Sequence, residues 1–393
     1  MSASEIVILS GARTAIGGFG GSLAAVPPID LATTVTRAAL ERAGIGPDQI
    51  GQVVFGHVIN TEPRDMYLAR VAMLNAGVPH TVPAMNVNRL CGSGAQAIVS
   101  ATQSLLLGDA DFAIAGGAEC MSRSPYSVPS ARFGAKMGDQ AMLDMMTGAL
   151  TCPMGTGHMG VTAENVAAEH DISREDQDAF ALESQRRAAA AIAAGHFRDQ
   201  IVPVEIKSRK GIVAFDTDEH PKETTLDKLG ALRAVFQKGG SVTAGNASGI
   251  NDGAAALVLA RGEAARAAGL TPRARVLGYA LAGVRPEVMG IGPIPAVQQL
   301  LARTGLKAGD FDVIESNEAF AAQALAVTRG LGLDPARVNP NGGAIALGHP
   351  VGATGAILTI KALAELERTG GRLGLITMCI GGGQGIAIAI ERL

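Results

Sequence analysis

The sequence predicts an α/β protein made of two related halves with a further segment inserted between them. Three observations lead there. Short apolar runs of strand length ("VVFGHVI", "FAIAGG", "DVIESN", "GLITMCI") alternate with helical stretches, the pattern of buried sheets covered by helices. The chain also resembles itself: residues 41–59 lie on 302–320 with Gly44 on Gly305, and residues 91–117 match 349–383. Between the copies, from 121 to 247, the texture changes to a Met-rich run, one long helix and a charged loop.

Taken in order, "ERAGIGPDQIGQVVFGHVI" and "ARTGLKAGDFDVIESNEAF" each read as a helix end, a glycine turn and a buried strand. "CGSGAQAIVSATQSLLLGDADFAIAGG" and "HPVGATGAILTIKALAELERTGGRLGLITMCIGGG" then each read as a glycine-rich helix start, a helix and a strand. This reading places Cys91 and His349 at equivalent helix starts, and a pseudo-twofold packing of the halves would let them converge. Within the insertion, Ser173 with Asp176 predicts a helix N-cap and Gly195 its stop. Met137, Met142, Met145 and Met146 are expected to form an adaptable wall or a subunit contact. The expected division is 1–120 with 248–270 as the first half, 121–247 as the insertion and 271–393 as the second half.

Composition narrows the function. At about 150 residues per domain, 393 residues predict two or three domains and a large core. Aromatics are 3% of the chain while glycines number 51, which predicts close helix and sheet packing. A net charge of −3 provides no basic footprint for nucleic acid. The four cysteines, Cys91, Cys120, Cys152 and Cys379, form no C-x-x-C pair, so neither a disulfide framework nor a structural zinc site is expected and the thiols should be reduced. The N-terminal apolar run is too short for a signal sequence, and the longest uncharged stretch, "GGAIALGHPVGATGAILTI", is interrupted by glycines, a histidine and a proline. A cytoplasmic location without membrane insertion is expected.

Four places can carry chemistry. In "NRLCGSGAQAIV", Cys91 is either a packed core thiol or a nucleophile whose pKa the helix start would lower. His349 is one of only seven histidines; it is a satisfied core side chain or the base that activates Cys91. In this reading Pro350 occupies a first-turn position of the following helix. Cys379 ends a buried strand before Gly381-Gly382-Gly383, whose N–H groups could serve an oxyanion or a phosphate. Asn317 in "ESNEAFAAQ" is a helix cap or an amide that holds a water or an oxyanion.

Together with "HMGVTAENVA", "GNASGINDGAAA", "NPNGGAIALGHPVGATG" and "CIGGGQG", these segments resemble the thiolase family over essentially the whole chain, and specifically its bacterial acetyl-CoA acetyltransferases or β-ketothiolases. The resemblance implies a thiolase-like, five-layered fold of two related α/β halves with a loop domain over the active site, assembled as a homotetramer. It implies Cys91 as acyl-accepting nucleophile, His349 as its activator and Cys379 as acid/base. It also implies one oxyanion hole from the N–H groups of Cys91 and Gly381, and a second from His349 with a water held by Asn317. His158 and Met159 match the pair beside the thioester, and Ser248 with Ala244 match a segment touching the pantetheine arm. Phe236, Met289 and Phe320 match apolar walls. Lys222 stands near an arginine that some relatives direct at coenzyme A. Cys120 and Ser316 depart from common family residues at positions outside the matched catalytic set.

The implied activity is reversible condensation of two acetyl-CoA molecules to acetoacetyl-CoA and coenzyme A through an acetyl-cysteine. No cofactor or metal is expected, because acetyl-CoA and coenzyme A are substrates. A broader-chain 3-ketoacyl-CoA thiolase of fatty acid degradation stays open as the alternative. A decarboxylating ketoacyl synthase is disfavoured by Cys379 in its glycine loop. A silent acyl-CoA-binding module is disfavoured by the retained Cys, His and Cys.

Overall fold

The computed structural model describes residues 5–208 and 211–393. The first half runs β1 (Ile6–Arg13), α1 (Pro28–Ala43), β2 (Gln52–Gly56), α2 (Leu68–Asn75), β3 (Ala84–Val87), α3 (Ser93–Leu107) and β4 (Phe112–Cys120). The inserted region contains α4 (Met159–Glu169) and α5 (Arg174–Ala194), after which β5 (Asn251–Arg261) returns to the first half. The second half runs β6 (Ala274–Gly283), α6 (Pro293–Thr304), β7 (Val313–Ser316), α7 (Ala321–Leu331), α8 (Thr354–Thr369), β8 (Leu373–Ile380) and β9 (Gln384–Arg392).

The strands lie in the order β7-β8-β9-β6-β1-β5-β4-β2-β3, with Gly17–Gly18 beside β5. Outward from the middle the two halves repeat the same series: β1, β5, β4, β2 on one side and β6, β9, β8, β7 on the other. In each, only the outer pairings are parallel, β2 with β3 and β4, and β7 with β8. The halves meet through two register pairs, Val7 with Arg275 and Ile8 with Ala274. Helix α1 packs on the strands of the first half and α6 on those of the second, while α3 and α8 pack against each other and against strands of both halves. Burial on both faces explains why β4 and β8 read as continuous apolar runs instead of alternating ones. Gly44 and Gly305 both adopt the left-handed conformation that ends a helix, at φ 66° and 72°.

The halves approach backbone to backbone where α3 crosses α8. A Cβ on Gly94 would lie 2.9 Å from the backbone N of Ala356, and one on Gly355 would collide with the backbone of Ala95. These contacts pair Gly94 with Gly355 and Ser93 with Thr354, the same offset as Gly44 with Gly305. The counterpart of Cys91 is therefore Gly352, and His349 lies three residues upstream of it. The expected one-to-one match of Cys91 and His349 is corrected accordingly. Pro350 is not in the first turn of α8; its carbonyl accepts the N–H groups of Ala353 and Thr354 in the turn that precedes the helix.

Apart from two isolated bridges, Arg13 with Ile201 and Ala247 with Phe320, the described strands of 121–247 pair only among themselves. The helix expected there spans Arg174–Ala194, with Ser173 Oγ accepting the Asp176 N–H at 3.0 Å and Gly195 closing it at φ 76°. The segment is pinned by a fully buried fork, Arg13 to Asp218 at 2.8 and 2.9 Å. Met137, Met142 and Met145 are exposed, and none of the four expected methionines lines the cavity described below.

Gly355→Ala should lower stability by about 1–3 kcal/mol, since a methyl group there must push two helices apart. Urea denaturation measures it; a midpoint equal to wild type would contradict the helix contact.

Candidate active site

One cavity of about 400 Å³ lies between the two halves and the insertion, and Cys91, His349 and Cys379 all line it. They arrive from three directions. Cys91 ends the loop before α3, one residue ahead of its N-cap Gly92. His349 follows the short helix Ala344–Leu347. Cys379 is the penultimate residue of β8. Every other substrate-side residue read from the sequence also lines this cavity: His158 and Met159, Ala244 and Ser248, Phe236, Met289 and Phe320, and Lys222. Asn317 and Gly381 are not among the lining residues but reach the site through Asn317 Nδ2, 3.4 Å from His349 Nε2, and through the Gly381 N–H, which lies close enough to the Cys91 sulfur to favour its charged form.

The hydrogen bonds of His349 orient its ring. Thr354 Oγ1 donates to the Pro350 carbonyl at 2.9 Å, so at 2.6 Å it accepts from His349 Nδ1–H. The lone pair is therefore on Nε2, next to Asn317. The backbone is held by His349 N–H donating to Asn251 Oδ1 at 2.9 Å. Asn317 is not a helix cap, because α7 begins after Phe320; its own Oδ1 is buried without a partner.

The electrostatics revise one expectation. Burial raises the Cys91 thiol above its ordinary value; the N–H groups of Gly381 and of Cys91 pull the other way, and the Glu119 carboxylate adds to the rise. The helix start does not outweigh this, so the resting group is a thiol and not the expected thiolate. Burial also pushes Cys379 up, with Cys91 adding to the effect. Burial brings His349 down to about 4, which leaves a neutral imidazole at pH 7. A neutral thiol facing a neutral base has a reason to transfer its proton only when a substrate makes the thiolate useful.

The insertion shapes the apolar wall. His158 caps α4 by accepting the Gly160 N–H on Nδ1 at 3.1 Å. Its ring stacks on Phe236 with centroids 4.7 Å apart, and Phe236 meets Phe320 edge-on at 6.2 Å. A Cβ on Gly160 would collide with the Phe236 ring, so that glycine is what admits the stack. Ser248 N–H donates to the Ala319 carbonyl at 2.9 Å, joining its segment to the Asn317 loop. The sequence reading missed His220, Met121, Leu150 and Val235, which also line the cavity. His220 had one available signal, a scarce histidine beside Lys222; burial first, then the Lys222 charge, lowers it to about 4. Asn251 and Thr354, which orient the base, had none.

Residues 6–263 match the family described as "Thiolase, N-terminal domain" and residues 270–392 the one described as "Thiolase, C-terminal domain". The chain belongs to the thiolase family. This thiolase is 62% identical over 391 residues to a Cupriavidus necator protein named beta-ketothiolase BktB, with 99% of each chain covered. It is 51% identical to an acetyl-CoA acetyltransferase of Escherichia coli, covering 98% of this chain and 99% of that one. Human mitochondrial 3-ketoacyl-CoA thiolase superposes on it with a TM-score of 0.98 at 43% identity, with 100% of both chains covered.

For the thiolase site, the position of His349 has a measurable cost. Between pH 6.5 and about 4 the unfolded chain carries a proton on this residue that the folded chain does not, so stability falls as pH drops through that window. Going from pH 7 to pH 5 the loss amounts to about 2 kcal/mol from this residue. His349→Asn should remove that part of the pH dependence in denaturant titrations at the two pH values. An unchanged difference between them would mean that the imidazole is not held neutral.

Proposed function

We propose that this thiolase catalyses acetyl-CoA C-acetyl transfer: the reversible condensation of two acetyl-CoA molecules to acetoacetyl-CoA and coenzyme A. The observation that carries the reading is the convergence of Cys91, His349 and Cys379 on one largely apolar cavity, with the Cys91 and Gly381 N–H groups close to the Cys91 sulfur. In the first half-reaction His349 Nε2 takes the Cys91 proton, and the sulfur attacks the thioester carbonyl. Oxyanion charge builds where the two N–H groups point, and one such donor is worth about 3 kcal/mol. The bond to coenzyme A breaks, Cys379 protonates the departing thiolate, and acetyl-Cys91 remains.

In the second half-reaction the Cys379 thiolate removes a proton from the methyl group of another acetyl-CoA. The enolate oxygen is met by protonated His349 and by a water on Asn317, whose unpartnered buried Oδ1 supports that role. The enolate carbon attacks acetyl-Cys91, the carbon–sulfur bond breaks, and the Cys91 sulfur recovers its proton from His349. Every step moves a proton, exchanges one carbon–sulfur bond for another, or exchanges a carbon–sulfur for a carbon–carbon bond, so we read no metal or redox cofactor into the reaction. Lys222 at the cavity wall is assigned to the coenzyme A side, as are Ser248 and Ala244.

Cys91→Ala should abolish both half-reactions. Cys379→Ala or Cys379→Ser should leave exchange of labelled coenzyme A into acetyl-CoA measurable while condensation falls much further, by about 10²- to 10⁴-fold for loss of a placed acid/base. Equal losses in the two assays on one folded preparation would refute this division of labour.

We further read the chain as a cytoplasmic homotetramer. Among the described residues no helix is long and apolar enough to cross a membrane. In the insertion, Phe133, Met137, Met142 and Leu143 are 89%, 97%, 64% and 50% exposed, a cluster of apolar side chains that a second copy would cover. Light scattering should return four times the 40.0 kDa chain mass. A monomer at micromolar concentration would overturn the assembly.

A further inference from the structure

Helix α5 lays one face across the loop that ends in His349. Ser184 Oγ–H donates to Glu318 Oε2 at 2.6 Å, and Ser184 Oγ in turn accepts the Gly343 N–H at 3.1 Å. Arg187 donates to the Val338 carbonyl at 2.7 Å. Between them, Gln185 uses both ends of its amide. Its Oε1 accepts the Lys222 N–H at 2.9 Å, and its Nε2 donates to the Ile345 carbonyl at 3.3 Å. The partners dictate that orientation, because a backbone N–H needs the oxygen and a carbonyl needs the nitrogen.

The two partners belong to different parts of the site. Lys222 and His220 line the cavity on a loop that is fixed upstream by the Arg13–Asp218 fork and by Glu219, which accepts the Ser22 N–H at 2.9 Å. Ile345 lies in the short helix Ala344–Leu347 that delivers His349. We infer that Gln185 is a positioning residue that ties the substrate-side loop at Lys222 to the base-carrying loop at Ile345, so that one amide sets the distance between bound thioester and His349. The inference rests on the acyltransferase reading of the cavity. It adds a residue that touches neither substrate nor base and lies outside every motif that marks the family in the sequence.

The two ends can be released separately. Gln185→Glu keeps an oxygen for the Lys222 N–H but sets a second oxygen against the Ile345 carbonyl, so the substrate side stays held and the base side is freed. Gln185→Ala frees both. In steady-state thiolysis of acetoacetyl-CoA by the full chain, Gln185→Glu should lower kcat on the order of 10-fold, the scale of a slightly displaced catalytic group, with KM within about twofold of wild type. Gln185→Ala should lower kcat and also raise KM. Arg186→Gln, one residue along and turned to solvent, should match wild type in both. Melting temperatures of all variants are read alongside. Gln185→Glu at wild-type kcat, or Gln185→Ala that loses melting temperature alone, would overturn the positioning role. A wild-type chain without thiolysis would instead overturn the functional reading on which the inference stands.

Discussion

The site depends on how closely α3 and α8 pass one another. Each helix presents a glycine at the crossing, Gly94 and Gly355, and each glycine lies against the other helix's backbone where a side chain would be. The glycines beside the crossing follow from the same requirement. A Cβ on Gly56 or Gly117 would strike the Gly352 carbonyl region, because the ends of β2 and β4 run directly under the turn between His349 and α8. Bringing two helix starts from two halves to one point is what allows a nucleophile on one and a base ahead of the other to share a cavity. A chain with few aromatics and many glycines suits such an interior, which is packed backbone to backbone.

Pseudo-symmetry then has to be broken for chemistry to occur. On one side of the axis Cys91 faces the Gly381 N–H; on the other, its counterpart Gly352 donates its N–H to Glu119 at 3.0 Å. Glu119 also accepts from Val58 at 3.0 Å and Ile59 at 3.1 Å, so a buried carboxylate anchors the loop after β2 and the base turn together. Burial raises its pKa, while His57 first and the three N–H groups next oppose the rise. Its charge also disfavours a Cys91 thiolate. The duplicated frame thus places a thiol in the cavity at one of two equivalent turns and a structural acid at the other.

The insertion contributes what neither half can. Much of the apolar wall of the cavity comes from its Met159, Phe236 and Leu150, beside Met289 and Phe320 of the second half. Its helix α5 fixes the base loop from outside through Ser184, Gln185 and Arg187. Catalytic residues on loops stay in place here because their loops are bonded to regular elements on both sides.

The duplication, the helix boundaries at Ser173 and Gly195, and the glycine-rich turns that carry Cys91, His349 and Cys379 to one cavity were legible in the sequence, because caps, turn glycines and apolar runs are local signals set by a few neighbouring residues. The substrate-side residues were legible through resemblance and not through any local pattern: Phe236 and Met289 look like ordinary core residues in the chain. Tertiary structure alone decided the rest. His349 stands three residues upstream of the counterpart of Cys91, and the contact of Gly94 with α8 and of Gly355 with α3 fixes that offset at the spacing of Gly44 and Gly305. The protonation state of Cys91 was misjudged because a helix start is local, whereas burial and the Glu119 carboxylate are not. Asn251, Thr354 and Gln185 carry no signal in the chain, since a single hydrogen-bonding side chain acquires a role only when a distant backbone group is folded against it.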